Sequence, residues 1–225
     1  MKHVLPFVSL CLASLSAVAL AQQEAPRPAA TTLTSPKGAT QPVDARGFIH
    51  RWWVLEPVSV QGRLTEDAVR EALKLAALPD PGARADGARV SVNGAEYTWH
   101  ALDTSNYNLN LYHFAWSLSK PTSNVLFWVE TRVDSPREIQ NARLAIGSNA
   151  ASRWWLNDEP VIALNDDRQS VIDDGVSRRV TLRKGRNVIR AAIINGGGAT
   201  DFCARFLDDQ DQPLVGLGVS LQPVE

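Results

Sequence analysis

Apolar and polar positions change rhythm several times along this chain, and each change marks a different kind of segment. Lys2 and His3 precede an apolar stretch from Val4 to Leu20 that ends in Ala19-Leu20-Ala21 before Gln22. This is the layout of a secretory signal peptide, with cleavage expected after Ala21. The stretch is shorter than the ~20 residues a spanning helix needs, and Pro6 and several serines interrupt it. Nothing later is apolar enough to span, so residues 1–21 predict export, to the periplasm or the medium, without membrane insertion. Residues 22–45 are rich in Ala, Pro, Thr and Gln with few large apolar side chains, a composition that cannot offset the entropy of ordering and predicts a flexible linker.

From residue 46 to 225 the pattern predicts one domain. Phe48 to Leu55 is aromatic and β-branched enough for a strand, closed by Glu56-Pro57 because proline lacks the ladder donor. Leu64, Ala68, Val69, Ala72, Leu73, Ala76 and Ala77 recur at helical spacing, with Thr65 as N-cap and Glu66 and Asp67 in the first turn. From Arg89 onward short alternating runs dominate. Asn93-Gly94 marks a hairpin between Val90/Val92 and Tyr97/Trp99, and Lys184-Gly185 predicts another hairpin tip. Leu109/Leu111, Val125–Val133, Arg143–Ile146, Arg153–Leu156, Val161–Leu164, Val176–Leu182, Asn187–Ile194 and Phe202–Leu207 complete roughly nine or ten strands. The fold class is therefore all-β: a jelly-roll β-sandwich with one short N-terminal helix.

Alternation also orients individual residues. Trp154 and Leu156 face one side of their strand and Trp155 the other, while Ile189 to Ile194, with Arg190 its one charged residue, is nearly apolar on both sides and predicts a central strand. Trp52-Trp53 and Trp154-Trp155 read mainly as core. Glu130 could be a buried acid beside Trp128, but its same-face neighbour Arg132 predicts an ion pair or a solvated edge.

Charge and cysteine content narrow the partners. The formal net charge is -1, which offers no basic excess for phosphates and argues against nucleic acid. Of two cysteines, Cys11 falls in the leader, so Cys203 has no intramolecular partner; a buried thiol is its expected state, and pairing between chains the alternative. The sequence sets no oligomeric state.

The segment Ile146-Gly147-Ser148-Asn149 to Arg153-Trp154-Trp155-Leu156-Asn157, followed by Lys184-Gly185-Arg186-Asn187-Val188-Ile189, resembles the galactose-binding-like jelly rolls of bacterial glycan-degrading systems. There a G-S-(D/N) segment leading to W-x-N-G precedes L-x-x-G-x-N-x-(I/L). Phe48–Pro57 and Phe202–Pro213 are similar to the opening and closing strands of that family. Asp158 stands where the pattern has a turn glycine, which Asn157-Asp158 tolerate because both residue types visit the left-handed region. The segment further resembles proteins named acetylxylan esterases, which implies hemicellulose as a substrate class.

Three functions follow as expectations: a non-catalytic carbohydrate-binding or accessory module, a carbohydrate esterase of the acetylxylan type, and an envelope interaction domain. The esterase needs a nucleophile, a histidine base and an orienting carboxylate, and G-x-S-x-G is missing. Ser148, His100, His113 and Asp103 are the candidates, with Gly147-Ser148-Asn149 reading first as a turn. A saccharide site needs aromatic faces with amides and carboxylates, which Asn106, Tyr107, Asn108 and Tyr112 supply in one segment and Asn195 and Asp201 supply around a glycine loop. Tyr107 and Tyr112 packed on the sandwich, with the asparagines capping turns, is the equal alternative. No cofactor is implied beyond a structural calcium, for which Asp166-Asp167, Asp173-Asp174 and Asp208-Asp211 carry the oxygens; the last group also reads as a β-turn. No residue is assigned as a metal ligand.

Overall fold

A computed structural model describes residues 32–78 and 84–221. The leader and residues 22–31 lie outside them. In chain order the strands and helices are β1 (Leu33–Thr34), β2 (Thr40–Pro42), β3 (Arg51–Leu55), β4 (Val58–Ser59), α1 (Glu66–Leu75), β5 (Arg89–Val92), β6 (Ala95–Thr104), β7 (Leu109–Asn110) and α2 (Leu111–Ser117). They continue with β8 (Val125–Ser135), β9 (Ile139–Ser148), β10 (Ala151–Leu156), β11 (Glu159–Leu164), β12 (Gly175–Val176), β13 (Val180–Leu182), β14 (Gly185–Asn195), β15 (Asp201–Leu207) and β16 (Gly218–Ser220).

Two antiparallel sheets form a sandwich. The larger, of eleven strands, runs β1-β6-β3-β8-β14-β10-β11, with β16, β2, β4 and β5 branching from it; the smaller, of five, runs β12-β9-β15-β7 with β13 on β9. From β6 onward the chain passes repeatedly from one sheet to the other, so each crossing buries one face of a strand against the opposite sheet. The central position expected for Ile189–Ile194 is observed: β14 pairs along its whole length with β8 and on its other side with β10.

Between the sheets sits an apolar core that includes Trp52, Trp154, Phe127, Phe202 and Phe206. Trp52 meets Phe202 edge-on at 4.9 Å, and Trp154 meets it at 5.6 Å. Trp155, on the opposite face as its position dictates, joins a second cluster outside the large sheet with Trp53, Trp99 and Trp128. Helix α1 covers this outer cluster with Val69 and Ala72, and Trp128 Nε1 donates to the Ala76 carbonyl at 2.8 Å. Thr65 occupies the N-cap as expected, although its hydroxyl makes no capping bond.

Four local expectations are corrected. Leu111 opens a second helix rather than ending a strand, because the Asn110 carboxamide oxygen accepts from His113 N at 2.7 Å and Leu111, Phe114 and Ala115 bury one helical face. Lys184-Gly185 joins β13 of the small sheet to β14 of the large one, so it is a corner between sheets and not a hairpin tip. The expected linker is ordered from residue 32: β1 pairs with β6 and β2 with β16, where backbone ladders and the buried Val43 supply what large side chains do not. Glu130 bonds not to Arg132 but to Arg190 on the neighbouring strand, at 3.1 Å, with Arg84 at 3.4 Å.

The asparagines of the quoted motif are structural. Asn187, fully buried, accepts from Arg183 N at 2.9 Å and donates to the Arg183 and Gly185 carbonyls. Asn157 donates to its Oδ1 at 3.1 Å and accepts from Val188 N at 2.9 Å, tying the β10–β11 turn to the corner. That turn keeps both Asn157 and Asp158 at positive φ, 51° and 69°, the tolerance expected of them.

Candidate functional site

Strand β15 positions the site by alternation. Phe202, Ala204 and Phe206 enter the core, so Asp201, Cys203 and Arg205 face outward from the small sheet. Asp201 pairs with Asn110 of β7, and the loop before β7 folds back so that Asn108 Nδ2 donates to Asp201 Oδ2 at 2.7 Å. That loop is held by Thr104, whose hydroxyl donates to the Asn108 carbonyl at 2.9 Å and accepts from Asn106 N at 3.2 Å. The remaining carboxylate oxygen, Asp201 Oδ1, is buried without a hydrogen-bond partner, and so is the neighbouring Thr200 Oγ1.

Beside this pair lies an aromatic and cationic stack. Tyr107, 37% exposed, leans on the buried Phe48 ring at 5.4 Å. The Arg46 and Arg205 guanidinium groups lie 4.9 and 5.0 Å from the Phe48 centroid, and Arg46 is also 5.7 Å from Tyr107. Asp173 holds Arg205 by a bidentate pair, which raises the guanidinium pKa further. Asp44 fixes the turn that carries Arg46 and Phe48 by accepting from their backbone N–H groups at 2.9 and 2.8 Å. Burial pushes the Asp44 carboxyl up, but those bonds and the His50 ring outweigh it and hold its pKa below the usual value.

Of the expected ligand residues, the structure brings Tyr107, Asn108 and Asp201 to one edge, with Asn106 exposed beside them. Tyr112 is the second residue of α2 and lies against His113, its backbone N donating to the Thr200 carbonyl at 3.1 Å. Asn195 is occupied by its own loop, donating to the Thr122 carbonyl at 2.7 Å and accepting from Gly197 N at 3.1 Å. Arg46, Phe48, Asn149 and Arg205 were missed as site residues. Asn149 spans the edge by accepting from Asp201 N and donating to the Ala199 carbonyl. Phe48 and Arg205 stood in the quoted strand patterns, but only a bridge between residues far apart in sequence brings them together.

The four candidate catalytic residues are not assembled. Ser148 is buried and donates to the Ala150 carbonyl at 3.1 Å. His100 faces Glu56 at 3.7 Å and the Phe114 ring, while His113 is exposed on α2. Asp103 accepts two bonds from Arg51, at 2.7 and 2.8 Å. Of the oxygens considered for calcium, those of Asp173 are engaged by Arg205, those of Asp174 by Arg168, and those of Asp208 by Gln210 N and Gln212 N in a turn. Among the described residues no group of three His, Cys, Asp or Glu side chains could hold a metal ion. Cys203 is buried, and desolvation pushes its thiol up to about 11.

A scan of family models finds no match to the chain, and a search of curated proteins finds none. Among solved structures it is similar to the β-glucosidase from Kluyveromyces marxianus in complex with glucose, at 14% identity and TM-score 0.42, over 78% of this chain and 20% of that one. It is similar also to a family 35 carbohydrate binding module from Clostridium thermocellum, at 20% identity and TM-score 0.25, over 37% of this chain and 71% of that one. A third likeness is to the PA14 domain of the MpAFP antifreeze protein, at 10% identity and TM-score 0.39, over 83% of this chain and 95% of that one. The chain thus spans about a fifth of the β-glucosidase. None of these three bears an esterase name, and likenesses at these scores carry no inference about function.

Proposed function

We propose that the chain is an exported, non-catalytic carbohydrate-binding module that holds a saccharide at the β7–β15 edge. The observation that carries the reading is an exposed ring on a braced polar edge: Tyr107 is joined through its chain neighbour Asn108 to Asp201, whose buried Oδ1 has no partner while Asn108 fixes Oδ2. A pyranose presents an apolar face to stack on an aromatic ring and hydroxyls to donate to a carboxylate. Asn108 orients the carboxylate, Asn149 holds the Asp201 backbone amide, and Arg46 shields one side of the tyrosine. The leader pattern of residues 1–21 supports export, and the jelly-roll resemblance supports a hemicellulose-like polysaccharide. Against an esterase stand the hydroxyl of Ser148, spent on a carbonyl, and the two histidines placed elsewhere.

Gel retardation of the purified protein on xylans, β-glucans and pectins tests this directly. Retardation by at least one glycan, lost in Tyr107→Ala and in Asp201→Asn with thermal stability kept, is the expected result. Retardation that both variants retain, or none on any glycan, refutes the site. Hydrolysis of p-nitrophenyl acetate that co-purifies with the protein and disappears in Ser148→Ala refutes the non-catalytic assignment.

A further inference from the structure

We infer that the cleft between the β10–β11 turn and strand β13 is a second binding site, one that takes the carboxylates of an acidic polysaccharide. The cleft encloses about 180 Å³ where an edge strand of each sheet meets the other, and Asn157, Glu159, Thr181, Arg178, Arg179 and Arg183 line it. Three arginines and one glutamate therefore border the same small cleft.

The three cations differ in what they have to do. Arg179 is tied down, donating to the Asn141 and Asp208 carbonyls at 3.0 and 2.8 Å and meeting Asp211 at 3.1 Å. Arg178 and Arg183 are exposed, and among the described residues neither guanidinium has a hydrogen bond or an ion pair, although arginines elsewhere in the protein are mostly mated: Arg51 with Asp103, Arg168 with Asp174, Arg190 with Glu130, Arg205 with Asp173. The backbone beneath them is rigid, because Asn187 clasps the Arg183 amide and carbonyl and Ser177 donates to the Arg178 carbonyl at 2.6 Å. Two unmated guanidinium forks thus stand on a fixed frame, and their planar donor pairs match a carboxylate bidentately.

Charge and shape select the ligand. The chain as a whole carries a net charge of -1, so the cationic patch is local and cannot draw in a long phosphate backbone or a flat anionic membrane. Leu156 and Val161 add an apolar wall and Thr181 adds a hydroxyl, which together suit a sugar ring bearing a carboxylate. A polysaccharide of uronate units is the ligand that supplies all of these at once. The inference rests on the carbohydrate reading above for the class of partner, but on different residues.

The test is calorimetric titration of the full protein with polygalacturonate and with a neutral β-glucan, for wild type, Arg178→Gln/Arg183→Gln, Arg178→Lys/Arg183→Lys and Tyr107→Ala. Melting curves check that the exposed substitutions leave the fold intact. The expected result is that the glutamine pair weakens polygalacturonate binding by about tenfold or more, with the lysine pair intermediate and binding falling as salt rises. Neutral glycan binding stays at the wild-type level in both pairs and is lost only in Tyr107→Ala. Wild-type polygalacturonate affinity in the glutamine pair overturns the cleft site while leaving the β7–β15 edge untouched. Binding to heparin-free duplex DNA or to anionic phospholipid vesicles as tight as to polygalacturonate overturns the ligand class.

Discussion

At the centre of the large sheet both faces are buried, but for different reasons. On the inner face β8 and β14 present Val129, Val133, Ile189, Ala191 and Ile193 to the opposite sheet, and the polar member of that row, Thr131, spends its hydroxyl on the Arg51 carbonyl at 2.7 Å. On the outer face the same strands present Trp128, Glu130, Arg132, Arg190 and Ala192, and helix α1 with the segment before β5 closes over them. One cross-strand row there reads Trp53, Glu130, Arg190, Trp155, so an ion pair is flanked on both sides by tryptophan rings. Glu130 and Arg132 are only 4% and 5% exposed. The inner face is held by area removed from water; the outer depends on each charge finding its counterpart.

The sharpest way to break that contrast is Glu130→Ala. Glu130 bonds Arg190 and sits against Arg84, whose guanidinium burial already depresses its pKa. Removing the carboxylate leaves buried cations uncompensated, and the expected loss is about 3–5 kcal/mol in chemical denaturation followed by tryptophan fluorescence. Trp154→Ala on the inner face is expected to cost a similar ~3–5 kcal/mol by cavity formation. A loss below ~1 kcal/mol for Glu130→Ala would show the outer layer to be wet, because only solvated pairs are worth so little.

The inner face was legible in the sequence, and the outer only in part. Strict alternation named Trp154 as core and Trp155 as its opposite, and the doubly apolar run of β14 marked it as central, because a period of two is a local property. The partners of Glu130 are not local: Arg84 and Arg190 arrive from distant segments, so the nearest same-face cation, Arg132, stood in for them. The candidate edge divides in the same way. Tyr107 and Asn108 are close in sequence and were found together, whereas Phe48, Asn149 and Arg205 reach them through pairing between strands. Helix α2 escaped because seven residues give too little periodicity, although Asn110 three residues before His113 was a readable cap.

Asn187 marks the near end of the inner face, since it occupies the position after which β14 enters the core with Ile189, Ala191 and Ile193. Its amide, itself fully buried, satisfies the Arg183 amide and two carbonyls. Asn187→Ala is expected to cost about 1–3 kcal/mol, because those backbone groups lose their partners without regaining solvent. Asn157→Ala should lose less, as Asn157 is only half-buried and water can replace it at Val188 N. Equal losses in thermal melts would mean that the two asparagines act as one unit rather than as a buried clasp with a peripheral partner.

Arg132 gives the smallest expected effect and the finest test of the contrast. Its guanidinium lies 4.5 Å from the Trp53 ring, and its Nε and Nη1 are buried with no hydrogen-bond partner among the described residues. Desolvation depresses its pKa, with Glu130 opposing that shift from a distance too great for an ion pair. A buried cation of this kind returns in cation–π attraction, about 0.5–2 kcal/mol, roughly what it costs to keep out of water. Arg132→Met keeps the stem's packing on Trp53 and removes the charge, so stability should stay within about 1 kcal/mol of wild type or rise, in contrast to the loss at Glu130. A drop of ~3 kcal/mol or more would mean that Arg132 is mated after all, by ordered water bridging to Glu130 or Asp134, and that the outer layer is one connected network rather than a set of separate pairs.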